Sequence, residues 1–446
     1  MVFGFGKKKP IAKRNDEGDE SDDDDGDDDG DLVNFQGAMN GKSVDLVAQG
    51  KLVQVALLPA KRWISSGLER RAEMIRLDVK GEKAHTTLSI DGMPYGGSRM
   101  PRQQASYIIQ MMKFLAGLDA KIKGRHQAGG IKSEYLGAKF ELSVEVIPHA
   151  EGTERLTIRV RNLKQKLDTP AELGFTESLR QSIRDLTAHR RGLIVVCGPP
   201  GSGTTTTVYG LLRGIDVYLY SIYSIVNTGS RELLNVKTFE ANDGDNYETS
   251  CLRMMREEAD VIFVPPLKDA ETTQQFMSVA DRICIVSEMT AKDSAHAIAQ
   301  LVALSGNSKL ASEVIDAVFS QKLVRLLCPE CREAFRPSPK LLSKVALPPE
   351  TKVLYRKPVP VVDEKTGEEE PPCEKCSGTG FFGRVAMLEA ILVSDAMRVL
   401  IAMNATAAQI KELSRSEGGL TFHKDGLRLV AEGKTSLEEL QRVFRV

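Results

Sequence analysis

The apolar positions change rhythm along the chain. Between about 67 and 165 they come in short alternating runs. Met74-Ile75-Arg76-Leu77-Asp78-Val79 alternates as a half-buried strand does, and Thr86-Thr87-Leu88-Ser89-Ile90-Asp91-Gly92 predicts a second strand closed by an Asp-Gly turn. Over 102–119, Ile108, Met111, Met112, Leu115 and Leu118 share one helical stripe, most simply a core face. Strands are expected again at 138–147 and 154–161, followed by a linker at Leu167-Asp168-Thr169-Pro170. This is an α+β pattern.

From 171 to about 325, strand-like apolar runs alternate with helical segments, which predicts a mainly parallel sheet covered by helices. Among these runs are Tyr218 to Val226, Val261 to Val264 and Ile283 to Val286. Residues 326–446 carry two cysteine pairs and then helices, the last opened by the capping-box pattern Ser436-Leu437-Glu438-Glu439. Arg356 to Pro372, rich in Pro, Glu and Lys, reads as an exposed loop. Residues 32–66 are weakly patterned, a linker or partly structured segment whose one apolar run is Leu52 to Leu58. A length of 446 residues suits roughly three units at about 150 residues each.

Charge changes the picture at one end. The net charge of −1 hides a run at 16–31 with 12 acidic residues and no basic ones. Such a run cannot bury apolar area, so 1–31 is expected to be a disordered acidic tail, a solvated spacer or a docking segment. Without that run and the five basic residues before it, 55 basic and 49 acidic side chains remain. That balance is too mild to argue for nucleic acid. No apolar run reaches the ~18 residues of a membrane span, and the N-terminus lacks a signal peptide's apolar stretch. The expected location is cytoplasmic, with any membrane contact peripheral.

The richest chemistry lies at Gly192 to Tyr209. An apolar strand enters Gly198-Pro199-Pro200-Gly201-Ser202-Gly203-Thr204-Thr205-Thr206, and a helical segment leaves it. The pattern G-x-x-x-x-G-K-[ST] fits Gly198 to Thr205 except that Thr204 stands where lysine belongs. Gly198, Gly201, Ser202, Gly203, Thr204, Thr205 and Thr206 form a degenerate nucleotide-binding set. The glycines let backbone N–H groups converge on phosphate, and Thr205 is placed to reach Mg²⁺. The lysine's charge is missing, so weak ATP–Mg²⁺ binding is compatible with the loop and efficient hydrolysis is not.

Seven cysteines are present. Cys197 and Cys284 sit in apolar strands as core residues, and Cys251 has no evident partner. Cys328/Cys331 and Cys373/Cys376 are C-x-x-C pairs, and four thiolates in two such spans can close a structural tetrahedral Zn²⁺ site.

With these motifs in view, residues 67–446 resemble the ATPases of type II secretion and type IV pilus assembly, the GspE/PulE/PilB family of hexameric motors. The resemblance rests on several stretches. Cys328-Pro329-Glu330-Cys331 and Cys373-Glu374-Lys375-Cys376-Ser377-Gly378-Thr379-Gly380-Phe381-Phe382-Gly383-Arg384 are similar to the family's zinc motif and the run that follows it. Leu420 to Leu427 and Gly433 to Glu439 match its C-terminal pattern, and Leu173-Gly174-Phe175 its short segment before the loop. Ser89-Ile90-Asp91-Gly92 resembles the end of its second N-terminal strand. The resemblance implies a small α+β domain, then a P-loop RecA-like α/β domain, then a zinc-bearing, mostly helical C-terminal region. It also implies assembly into a hexamer-type ring, of like or mixed chains, with an inner-membrane platform protein or an intact ATPase paralogue as partner.

The departures from the family all weaken catalysis. No carboxylate pair occurs in Ser224-Ile225-Val226-Asn227-Thr228-Gly229. Asp260-Val261-Ile262-Phe263-Val264 ends in Pro265-Pro266, where the resemblance calls for Gly-Glu. Cys284 to Asp293 lacks the family's histidine, and His296 beyond it reads as an exposed helix residue. The positions of two family arginines fall near Thr87 and Ser89, while Arg159 matches a third. A missing general base costs about 10²–10⁴-fold, and an arginine finger is worth about 10³–10⁵. Glu288 and Glu271 are the candidate replacements for the lost glutamate, though their spacing supports neither. Three readings stay open: a pseudo-ATPase acting as a structural or regulatory subunit, an active motor with displaced catalytic groups, and an adaptor or nucleotide sensor unconnected with secretion.

Overall fold

The computed structural model describes residues 31–149, 152–164, 169–226, 233, 235–359 and 371–445. The expected acidic tail (Asp31 apart) and the centre of the loop expected at 356–372 lie outside the described residues.

The first unit contains β1 (Asn34–Ala38), α1 (Gly50–Glu69), β2 (Met74–Lys80), β3 (Lys83–Ile90), β4 (Met93–Pro101), α2 (Arg102–Leu115), β5 (Gln127–Tyr135), β6 (Ala138–Pro148) and β7 (Glu154–Asn162). The strands make one antiparallel sheet in the order β1-β5-β6-β7-β2-β3-β4. The methionine stripe on α2 is a core face: Ile108, Met111 and Met112 are buried in one cluster with Ile75, Leu142 and Ile158. The weak pattern at 32–66 turns out to hold β1 and most of α1. Two features hid the helix. Its buried stripe begins with the small residues Ala56 and Ala60 before reaching Trp63 and Ile64, and Pro59 stands inside it. Packing against the sheet overrides that proline's cost, and the Trp63 indole N–H donates to Thr86 Oγ1 at 2.9 Å.

Lys113 on α2 has no exposed surface. Its ammonium donates to the buried Glu154 carboxylate and to the Ile122 carbonyl at 2.8 Å. Breaking such a pair strands a charge away from water. Lys113→Ala is expected to destabilise this unit by about 3–5 kcal/mol, and the double change Lys113→Met/Glu154→Leu to recover most of that loss. Urea unfolding measures both; equal losses in the single and double variants would disprove the pair's role.

The second unit runs α3 (Glu177–Ala188), β8 (Gly192–Gly198), α4 (Thr204–Arg213), β9 (Ile222–Ser224), β10 (Val236–Thr238), α5 (Tyr247–Arg256), β11 (Val261–Phe263), α6 (Ala270–Met277), β12 (Cys284–Thr290), α7 (Ser294–Ser305), α8 (Ser308–Val314) and β13 (Ile315–Leu327). After it come β14 (Glu333–Phe335), α9 (Pro339–Val345), β15 (Leu354–Arg356), β16 (Phe381–Leu392), α10 (Asp395–Ala402), α11 (Ala407–Ser416), α12 (Phe422–Ala431) and α13 (Leu437–Arg445). The large sheet is ordered β10-β9-β11-β12-β8-β13-β16. Its strands are parallel except at the β13–β16 edge. Every residue of β8 is buried, as a central parallel strand requires.

Two expectations are corrected here. The parallel-sheet unit was expected to close at 325, yet β16 from the later region completes the same sheet, pairing with β13 from Ala317–Leu392 to Leu327–Phe381. An antiparallel partner so distant in sequence leaves no periodicity to read. The strand expected at 218–226 shortens to Ile222–Ser224, because the Asp216 carboxylate accepts from Tyr218 N at 2.9 Å and turns the chain before it. Cys197, Cys251 and Cys284 are all buried, and burial pushes each thiol up to about 12. Among the described residues, no helix is long and apolar enough to cross a membrane.

The Asp91 turn of the first unit meets the run after the cysteines. Asp91 Oδ1 accepts from Gly383 N at 2.9 Å, Arg384 pairs with Glu73, and the Arg71 guanidinium lies 4.2 Å from the centre of the Phe382 ring. Two separate stretches that carried the family resemblance are thus one contact.

Candidate nucleotide and metal sites

β8 delivers the glycine-rich loop, and α4 begins at Thr204 immediately after Gly203. Gly201 and Gly203 have φ of 77° and 87°, the left-handed region that a side chain disfavours. A Cβ on Gly203 would stand 2.9 Å from Gln321 Nε2. Gln321, on β13, is a residue the sequence reading did not single out. Its Nε2 donates to the Ser202 carbonyl at 2.6 Å, and its Oε1 accepts from the Thr207 hydroxyl. It clamps the loop to the first turns of α4. No sequence signal marks it, because the contact depends on β13 lying beside β8.

The Ser202 hydroxyl is buried without a hydrogen-bond partner among the described residues. An orphaned buried hydroxyl in a glycine turn before a helix N-terminus fits a phosphate cradle. Thr204, Thr205 and Thr206 occupy the first turn of α4, and no acidic side chain accompanies them there. The position that a lysine would fill carries a short, neutral hydroxyl.

The main surprise is Glu288. Its carboxylate, on β12, accepts the Thr205 hydroxyl with both oxygens, at 3.0 and 2.9 Å. Glu288 stands opposite Val196 in the β8–β12 ladder, so the strand register aims it at the first turn of α4. The spacing in the sequence offered no hint of this. Glu271, the other candidate, lies in the first turn of α6 and accepts from Gln275 at 3.4 Å. Pro265 and Pro266 run beside β12: the Pro265 carbonyl accepts from Ser287 Oγ at 2.8 Å, and Leu267 N donates to the Glu288 carbonyl at 2.9 Å. The exit of β11 therefore places two prolines where the resemblance calls for a carboxylate. His296 is exposed, with Nδ1 2.7 Å from Asp293, and Arg159 pairs with Glu145 at 3.0 Å on the first sheet.

The four paired cysteines come together. Cys328 and Cys331 leave the end of β13, Cys373 and Cys376 precede β16, and all four sulfurs lie within 4.8 Å of one another. The Cys328–Cys373 and Cys331–Cys376 sulfur separations are 3.9 and 3.7 Å. Ligands about 2.3 Å from a tetrahedral ion stand ~3.8 Å apart, whereas a disulfide needs ~2.05 Å. The donor set therefore fits a closed four-thiolate metal site. Gly380 N donates to Cys376 Sγ at 3.3 Å, and a Cβ on Gly380 would press to 2.8 Å against Lys357. Burial first, then the neighbouring Cys376 and Cys328, push the Cys331 thiol up, a cost to its ionisation that a bound cation would relieve.

The family model described as "Type II/IV secretion system protein" matches residues 49–442. This chain belongs to that family. It is 25% identical over 389 residues to the type IV pilus assembly ATPase PilB of Thermus thermophilus, covering 85% of this chain and 42% of that protein. To the type II secretion system protein E of Xanthomonas campestris it is 24% identical over 406 residues, covering 90% and 68%. The chain thus spans less than half the length of the first relative and about two thirds of the second. Among solved structures, the ATPase DotB of Legionella pneumophila aligns with a TM-score of 0.55 at 14% identity, covering 87% of this chain and 96% of that one. That likeness concerns the fold, which is the expected RecA-like α/β unit behind a smaller α+β unit.

Proposed function

We propose that this family member is a pseudo-ATPase, a structural or regulatory subunit of a secretion or pilus motor that keeps a weak seat for Mg²⁺-nucleotide. The reading rests on Thr204, which leaves the first turn of α4 without the cation that clamps the transferred phosphate. The prolines at 265–266 support it from the other side of the site. Such a subunit would stack in a hexamer-type ring with like chains or an intact paralogue, against an inner-membrane platform protein, at the cytoplasmic face. Zinc is the ion proposed for the four-cysteine site, because four thiolates at tetrahedral spacing favour it and leave no open position for catalysis.

One observation favours a second reading. A carboxylate bonded to the P-loop threonine hydroxyl would help that hydroxyl hold Mg²⁺, which would supply charge to the phosphates, so Glu288 supports an active motor with a relocated acid. Phosphate release by the purified chain with saturating Mg²⁺-ATP separates the two. The pseudo-ATPase reading expects no turnover above a Thr205→Ala control. Turnover that disappears in Glu288→Gln, with nucleotide affinity retained, would overturn it in favour of the relocated acid.

A further inference from the structure

A cavity of about 520 Å³ opens between the end of β12, β13, α11, α12 and α13. Lys292, Lys322, Lys411, Arg415 and Lys424 line it, against the two carboxylates of Asp293 and Glu389. Both acids are buried and engaged within the fold. Asp293 accepts from His296 N at 2.9 Å and from Lys411 Nζ at 3.1 Å, and Glu389 accepts from Ser294 N at 3.0 Å. Lys424 is spent partly on the Gly418 and Gly419 carbonyls, at 3.1 and 3.2 Å. Lys292 and Arg415 are exposed, and neither has a salt-bridge partner among the described residues.

The wall also carries rings. Phe422 is buried beneath Lys322, whose ammonium lies 5.6 Å from the ring centre. His423 and Phe444 form a tilted pair with centroids 6.4 Å apart, and Phe444 is 43% exposed. The volume is that of a small-molecule site, and cations beside a free aromatic face can hold a phosphate chain at one end and a flat ring at the other.

The cavity is distinct from the P-loop. Successive residues of a strand point to opposite faces: Gln321 reaches the loop and α4, while its neighbour Lys322 lines the cavity. One strand therefore touches both places. We infer that this cavity is a second anion site, taking a ligand of the nucleoside-polyphosphate class on the face of the sheet opposite the P-loop. Five cations are gathered here, whereas the glycine loop lacks its one lysine, and occupancy would bear on the loop through Lys322 and Gln321.

The test uses the full chain in Mg²⁺-free buffer without chelator, titrated calorimetrically with ATP, with sodium tripolyphosphate and with adenosine. ATP and tripolyphosphate are expected to bind. Lys292→Glu/Arg415→Glu is expected to weaken both by about tenfold or more, and Phe444→Ala to weaken ATP but not tripolyphosphate. Thr205→Ala should leave these affinities unchanged, which separates this site from the P-loop seat on which the proposed function rests. Thermal melts of the variants check that the fold is intact. Absence of binding, or binding lost in Thr205→Ala and kept in Lys292→Glu/Arg415→Glu, overturns the proposal. So does binding that appears only when residues 16–31 are deleted, because the acidic segment itself would then be the cavity's occupant.

Discussion

Stripping the metal from the four-cysteine site is expected to lower the melting temperature by roughly 10 °C and to open the region between β13 and β16. Structural zinc in isolated finger peptides is worth about 10–16 kcal/mol. The loss here is expected to be smaller because other contacts share the load. Leu327 N donates to the Lys434 carbonyl at 2.9 Å, and Arg332 donates to the Gly433 carbonyl at 2.6 Å. A remainder of several kcal/mol at about 2–4 °C per kcal/mol yields the expected shift. Thiol alkylation at pH 8 reads the same event by residue. Before chelation all seven cysteines resist: four by ligation, and Cys197, Cys251 and Cys284 by burial and thiol pKa values of about 12. After chelation, Cys328, Cys331, Cys373 and Cys376 react and the other three do not. Elemental analysis should find about one zinc per chain, and none in Cys331→Ser/Cys376→Ser. Metal-free protein with unchanged melting and unreactive thiols would remove the site from the account.

Restoring the lysine alone is expected to fail. Thr204→Lys should tighten Mg²⁺-ATP binding several-fold, by adding a charge at the β/γ-phosphates, and leave phosphate release at background. The argument is non-additivity: groups that act as a unit return nothing singly when others are missing. Pro266 stands where the exit of β11 would present a water-orienting carboxylate, and a general base is itself worth about 10²–10⁴-fold. Glu288 is bonded to the Thr205 hydroxyl at 2.9 Å, and Thr204→Lys changes neither that bond nor the two prolines. Stopped-flow or malachite-green assays over long incubations would detect a turnover of even a few per hour. Measurable hydrolysis from Thr204→Lys would show that Pro266 does not block the chemistry and that the missing charge was the one defect.

The two sites differ in how much of them the sequence displayed. The cysteine cluster was complete on inspection, because C-x-x-C spacing is a local constraint and the four ligands are all of one type. The glycine loop was also legible, since its φ angles and its strand–helix setting are consequences of neighbouring residues. Glu288 was visible only as one of two candidate acids, and Gln321 not at all. Each reaches the loop from a strand far along the chain, 83 residues from Thr205 in one case and 114 from Thr207 in the other. Only the register of a parallel sheet makes such pairs neighbours. α1 shows the same limit within the first unit: its stripe of Ala56 and Ala60 is faint as a pattern and is recognisable as a core face only where the sheet packs against it.

By itself, the sequence determined which local geometries this protein can make: a phosphate-type turn lacking its lysine, two cysteine knuckles, alternating strands and a strand–helix series. These depend on residues a few positions apart, whose sterics and spacing act before any tertiary contact forms. Tertiary structure alone decided what faces what. It closed the second sheet with β16, hooked the Asp91 turn onto Gly383, turned Glu288 onto Thr205 and gathered five cations around one cavity across the sheet from the loop. The physical reason is that a long-range contact carries no local signature. It is selected by the burial of whole faces, and polar groups far apart in the chain meet because the strands and helices that bear them must pack.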